Sequence, residues 1–257
     1  MKSKDVDMLA MLVLPTIATW ITVTFDTNLF VSVFLFLALP SLYLILRNPG
    51  IARKSVIFAL LFSVPLSLFV DTLAAINGAW VVPDTVFPFH ILGVSTVEVY
   101  LYGLFWVLFS VLFYEHFFDK GNRRDKFSPI TKYLIYLFII LSLLVVTFFF
   151  ANESWLYIPY MYFLVGTIFV FLPVVVFLFY YTQFFRRYVV IALYFFFVLL
   201  TFELAALHNE QWIFPGQFIG FIQVYGYRFP IEELIVWMLL ATPALLAWYE
   251  FFADDRK

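Results

Sequence analysis

Apolar residues run almost unbroken through eight stretches, roughly 8–25, 28–46, 55–76, 96–118, 131–150, 156–183, 187–208 and 230–252. About 20 consecutive apolar residues cross the hydrocarbon core of a bilayer as a helix. The pattern therefore predicts an all-α, polytopic membrane protein of about eight transmembrane helices. The first stretch follows Lys2 and Lys4 with no small-residue cleavage site behind it, so it reads as a retained helix rather than a signal peptide. Pro15, Pro40, Pro65, Pro173 and Pro243 fall inside the stretches, where neighbouring helices are expected to support the kinks they cause.

The polar breaks set the orientation. Lys2, Lys4, Arg47, Arg53, Lys54, Lys120, Arg123, Arg124, Lys126, Lys132, Arg186, Arg187, Arg256 and Lys257 fall on one side of an eight-span chain, and only Arg228 on the other. The positive-inside rule then predicts both termini in the cytoplasm, with the protein integral to the cell membrane. Composition agrees: of 257 residues, 65% are hydrophobic and only 12% charged, more apolar surface than a soluble domain of this size needs. A net charge of -2 with no basic face excludes a nucleic-acid partner, and the lack of cysteine excludes a disulfide framework or thiolate site. The aromatic share is 23%, with 36 Phe, beyond what interfacial belts require. Either a long polyene ligand or packing against lipid accommodates it.

The chain also repeats itself. Asp71-Thr-Leu-Ala-Ala-Ile-Asn-Gly-Ala-Trp80 followed by Pro83 matches Glu203-Leu-Ala-Ala-Leu-His-Asn-Glu-Gln-Trp212 followed by Pro215. Further on, Glu98 and Tyr114-Glu115 match Glu233 and Tyr249-Glu250, with the same Glu-to-Glu spacing in both copies, and Asp119 matches Asp254. The predicted units are 1–126 and 127–257. Four spans per copy is an even number, so the copies are expected to be parallel about a pseudo-two-fold axis along the membrane normal.

Ionisable groups within membrane segments read as candidate functional sites. Asp71 and Glu203 fall near the outer ends of the third and seventh spans, and Glu98, Glu232 and Glu233 in the first turns of the fourth and eighth. A helical rise of about 1.5 Å per residue places all five at similar depth, with Glu115 and Glu250 about 25 Å further in, beside basic loops. Blander readings stand beside this one. Asp71 and Glu203 also suit buried clamps between helices, Glu115 and Glu250 suit interfacial carboxylates, and acids at helix N-termini are stabilised by the dipole. Arg228, four residues before Glu232, suits a salt bridge. Adjacent residues point about 100° apart on a helix, so one of Glu232 and Glu233 is expected to pair with Arg228 while the other faces a cavity. His90 and His208 lack metal-ligand spacing, and no metal site is expected.

Pro230-Ile231-Glu232-Glu233, together with the repeat and the topology, resembles the lycopene cyclase domain. That family comprises heterodimeric bacterial carotenoid cyclases and the cyclase half of fungal bifunctional lycopene cyclase–phytoene synthases. The resemblance covers nearly the whole chain as a fused tandem repeat. Its motif is Pro-x-Glu-Glu/Asp-x-x-Phe. Val236 stands at the Phe position here, and in the first copy Ser95 and Val97 replace the Pro and the first Glu, leaving Glu98.

The resemblance implies an acid-catalysed, redox-neutral ring closure at the ends of an acyclic carotene. Glu232 or Glu233 would be the proton donor, Glu98 the base or electrostatic partner, and Asp71 and Glu203 supporting groups. Burial in apolar, like-charged surroundings favours the neutral acid such a donor needs. Trp80, Trp212 and Trp237 could stabilise a carbocation by cation–π attraction. No dinucleotide-binding glycine fingerprint is present, so no cofactor is expected. Expected partners are a lipophilic carotenoid, the bilayer and other enzymes of carotenoid biosynthesis. A retinal-binding protein would need a lysine deep in a helix, and every lysine here is at a helix end. A proton- or cation-coupled transporter and a non-catalytic carotenoid-binding subunit remain as alternatives.

Overall fold

The computed structural model describes residues 3–119 and 127–254. The expected boundary between the two halves, along with Lys2, Lys120, Arg123, Arg124, Lys126, Arg256 and Lys257, lies outside the described residues. Eight helices are long and apolar enough to cross a membrane: α1 Lys4–Phe25, α2 Leu29–Arg47, α3 Pro49–Asn77, α4 Val97–Phe117, α5 Thr131–Leu156, α6 Met161–Tyr180, α7 Thr182–His208 and α8 Glu233–Ala253. The chain is an integral membrane protein. Among the described residues the sheets are two small antiparallel hairpins in the long loops, His90–Ile91 (β1) with Ser95–Thr96 (β2), and Phe221–Val224 (β3) with Tyr227–Pro230 (β4).

Helices α4, α7 and α8 are the most enclosed, with 56% of their apolar window buried, against 22% in α1 and α5. In the centre α3 packs along α4, and α8 packs on both α4 and α7. On the outside α1 lies against α7 and α5 against α3. Aromatic rings fill the interior. Phe113 stacks on Tyr194 at 4.2 Å, and Phe36 stacks on Phe202 at 4.7 Å. The apolar outer faces of α1, α5 and α6 are what lipid contact requires.

A helix in lipid must satisfy its own backbone, and each internal proline leaves one carbonyl without its N–H partner. Pro15 frees the carbonyl of Met11, which accepts from the Tyr194 hydroxyl at 2.9 Å. Pro173 frees the carbonyl of Phe169, which accepts from the Trp248 indole at 3.1 Å. Pro40 and Pro173 each follow a π-helical turn, Phe34–Ala38 and Thr167–Phe171, and Pro243 follows a longer one, Glu233–Leu240. Such a turn admits an extra residue per helix.

One end of the bundle carries the two long loops; the other carries the charges. There Asp7 accepts from Arg47 at 2.6 Å and Tyr43 at 2.8 Å and lies 2.9 Å from His116, while Lys54 pairs with Asp254 at 2.7 Å. At the loop end, Asn77 of α3 holds the α5–α6 connection by donating to Leu156 O and accepting from Ile158 N. Asn209, just after α7, donates to Thr22 O and Thr27 O at the α1–α2 turn.

The charged end is the expected cytoplasmic side. With no native cysteine, single substitutions can report it. Tyr225, 89% exposed at the tip of the β3–β4 hairpin, replaced by cysteine should react with a membrane-impermeant maleimide in intact cells. Cysteine at the exposed Arg53 should react only after permeabilisation. The opposite pattern would invert the orientation.

Candidate functional site

Under the loop end lies an apolar cavity of about 150 Å³, walled by α2–α8 and by the segments that follow α3 and α7. Three carboxyl groups line it: Asp71, Glu203 and Glu233. So do Trp80, Trp106, Trp212, Trp237, Trp248, Tyr102 and Tyr162. No lysine does. On α8 the lining runs from Glu233 to Trp248, about 22 Å along the axis at helical rise, so the space is elongated with its acids at one end.

The local sequence explains how each acid arrives. Asp71 and Glu203 sit near the loop ends of α3 and α7, on faces those helices bury, and are 7% and 3% exposed. Beyond each helix the chain turns back and places Trp80 and Trp212 over the cavity. The residues after them clasp, with Val81 and Ile213 exchanging both backbone hydrogen bonds at 2.9 Å. Trp212 donates its indole N–H to Glu203 Oε1 at 3.1 Å. Gly103 on α4 lets α3 come close beside Asp71, since a Cβ there would meet Ser67 Oγ at 2.7 Å. Gly216 does the same where the loop crosses the end of α3: its Cβ would meet Asn77 O at 2.6 Å.

Glu233 opens α8 and receives the hydroxyl of Tyr162 from α6. That tyrosine stacks on Trp237 at 5.1 Å with 14° between the rings, and its edge meets Trp80 at 5.4 Å. An aromatic box therefore surrounds one carboxyl group. Among the described residues no Lys, Arg or His forms an ion pair with Asp71, Glu203 or Glu233.

Glu98 and Glu232 go elsewhere. Both are 1% exposed, and neither lines the cavity. Glu98 Oε1 accepts from the backbone N–H groups of Val86 at 2.6 Å and Phe87 at 3.2 Å. Glu232 Oε1 accepts from Ile219 N–H at 2.6 Å. Each thus ties the loop before its helix onto that helix, so the roles of proton donor for Glu232 and of base for Glu98 have no geometric support. In bonding, Glu98 corresponds to Glu232, not to Glu233 as equal spacing predicts. The π-helical turn Glu233–Leu240 absorbs the difference, because it fits one more residue into α8 than α4 needs. The position facing the cavity in α4 is Val99. Arg228 also departs from expectation: it is exposed and lies over the Phe221 ring at 4.3 Å, while Glu232 bonds a backbone amide.

The far ends of α4 and α8 are bonded reciprocally. Tyr114 donates to Glu250 and Tyr249 to Glu115. Glu250 is 1% exposed, so it is a buried clamp between helices at the charged end. Nearby, the carboxyl groups of Glu115, Asp119 and Asp254 lie within 4.8 Å of one another, with Lys54 bonded to Asp254. His208 Nδ1 lies 2.7 Å from the Tyr227 hydroxyl on the hairpin.

Sequence reasoning missed Tyr102, Trp106 and above all Tyr162. Each lies in an aromatic-rich apolar run, where nothing in the spacing distinguishes a cavity-facing ring from a lipid-facing one. Comparison with protein-family models, with curated proteins and with solved structures finds no match.

Removing a loop-tying carboxylate should therefore cost stability. Glu232→Ala or Glu98→Ala removes the acceptor from the loop amides, a loss of about 0.5–1.5 kcal/mol per hydrogen bond. The expected readouts are a lower Tm in detergent and faster proteolysis of the adjacent loop. An unchanged Tm with abolished activity would instead return Glu232 to the role of proton donor.

Proposed function

We propose that this protein is a carotenoid cyclase of the lycopene-cyclase type, closing a ring at the end of an acyclic carotene without change of redox state. The observation that carries this reading is Glu233: a carboxyl group bonded by Tyr162, without a cationic partner, in the wall of an aromatic cavity shared with Asp71 and Glu203. Burying an unpaired charge costs far more than burying the neutral acid, and a neutral acid is the form that can donate a proton.

In this reading an end of the polyene enters from the bilayer and lies along the α8 wall, its terminal double bond at the acids. Glu233 gives its proton to that double bond, leaving a tertiary cation. The neighbouring double bond attacks the cation and closes a six-membered ring. Trp80, Trp237 and Tyr162 surround Glu233, and Trp212 lies with Glu203, so π-faces are available to the positive charge at each stage. The departing proton goes to Glu203, whose carboxylate form the Trp212 indole N–H favours, or to Asp71 ionised in its place, and the choice between them sets the double-bond position in the product. Proton leaves and proton returns; no cofactor is needed for the balance. Glu98 and Glu232 serve by holding the roof of the cavity, and Arg228 takes no part in the chemistry.

Expression in a lycopene-accumulating bacterial host, with pigments separated by chromatography and weighed by mass spectrometry, tests the proposal. The wild type should yield isomers of unchanged mass with ring-closed spectra. Glu233→Gln should lower their formation about 100-fold or more, the usual contribution of a general acid. Asp71→Asn or Glu203→Gln should slow formation or change the ring type. Wild-type yield from Glu233→Gln would remove Glu233 as the donor. Unaltered lycopene with folded protein would favour the transporter or the carotenoid-binding subunit, which the buried acids and the aromatic lining also suit.

A further inference from the structure

Tyr162 is a wall between two spaces. On one side it lines the large apolar cavity and donates its hydroxyl to Glu233. On the other it lines a second pocket of about 10 Å³ with Asn77, Gln217, Tyr157 and Tyr160, room for about one water among several polar partners. That pocket is close to the loop-end surface: Gln217 is exposed, and Tyr157 and Tyr160 are 54% and 48% exposed. Tyr162 itself is only 3% exposed. Tyr162 thus lines both spaces and bonds the Glu233 carboxyl group.

We propose that Tyr162 relays protons from water in the small pocket to Glu233, recharging the acid between turnovers. The proposal rests on the cyclase reading above. During turnover Glu233 loses one proton to carbon and a second carboxylate gains one from carbon. The cycle closes when that carboxylate releases its proton to solvent and Glu233 regains one. In the recharging step a water O–H passes its proton to the Tyr162 oxygen while the Tyr162 O–H passes its proton to the Glu233 carboxylate, and the hydroxide left behind is neutralised by the proton that the second carboxylate releases to solvent. Tyrosine ends neutral, with one bond formed and one broken at its oxygen. Tyr162 acts through Glu233 and is a positioning and relay residue.

The test uses the full chain in liposomes loaded with lycopene, equilibrated in H2O and diluted into D2O, with deuterium in the product counted by mass spectrometry. Wild-type product formed after the first turnover should carry one deuterium per ring. Tyr162→Phe keeps the aromatic wall and removes the hydroxyl bonded to Glu233; it should slow later turnovers about tenfold or more relative to the first and yield largely unlabelled rings. First and later turnovers slowed alike would mark loss of the Glu233 hydrogen bond alone and overturn the relay. Ala79→Val provides the second variant. Ala79 lines the small pocket and is 3% exposed, so the added methyl groups take up its space, and an unchanged first turnover will show the Tyr162–Glu233 bond intact. It should reproduce the labelling defect. Normal labelling by both variants while the wild type cyclises overturns the relay alone. Lycopene left unchanged by the wild type overturns the cyclase reading beneath it.

Discussion

Inside a bilayer no water stands ready to satisfy a polar group, and every freed backbone atom or buried carboxyl group must find its partner in the protein. That constraint organises this molecule. Carbonyls released by Pro15 and Pro173 are taken by Tyr194 and Trp248 from other helices. Loop amides above the cavity are taken by Glu98 and Glu232. Asn77 and Asn209 reach from the ends of α3 and α7 to the connections of neighbouring helices. Glu115 on α4 and Glu250 on α8 meet tyrosines on the facing helix.

Against that background the three cavity acids stand out. Glu203 has an indole N–H and Glu233 a phenol, but neither has a cation, and Asp71 is likewise without one. Aromatic rings replace the charges that a structural ion pair would need. Such surroundings suit chemistry in which positive charge appears briefly on carbon, and the proposed cyclase reaction makes use of that. In the proposed relay, Tyr162 connects that chemistry to the small pocket near the surface.

The two halves share local features without being interchangeable. A π-helical turn followed by proline recurs in α2 and α6, and the Trp80 and Trp212 segments clasp each other through Val81 and Ile213. The longer π-turn of α8 has no counterpart in α4, which is α-helical throughout. One residue of helical slack decides which side chain faces the cavity: an acid in α8, Val99 in α4.

Much of the scaffold was legible in the sequence. Eight apolar runs of spanning length could become little else in a bilayer, because only a helix satisfies its backbone locally, and the observed helices match them to within six residues at every end. The acids Asp71, Glu203 and Glu233 were marked by their cost in an apolar segment. The two small hairpins were not foreseen, since their strands are short and depend on Glu98 and Glu232 reaching back to the loops. Sequence spacing also paired Glu98 with Glu233, because a count of residues cannot register a π-turn. Which of two adjacent glutamates faces a cavity, and which of many aromatic rings lines it, depends on helix rotation. Rotation is set by packing against other helices, at Gly103, at the Val81–Ile213 clasp and at the Tyr162–Trp237 stack. The sequence alone thus determined the spans and their chemical anomalies; only the tertiary structure decided which anomalies meet, because that choice is made by contacts between residues far apart in the chain.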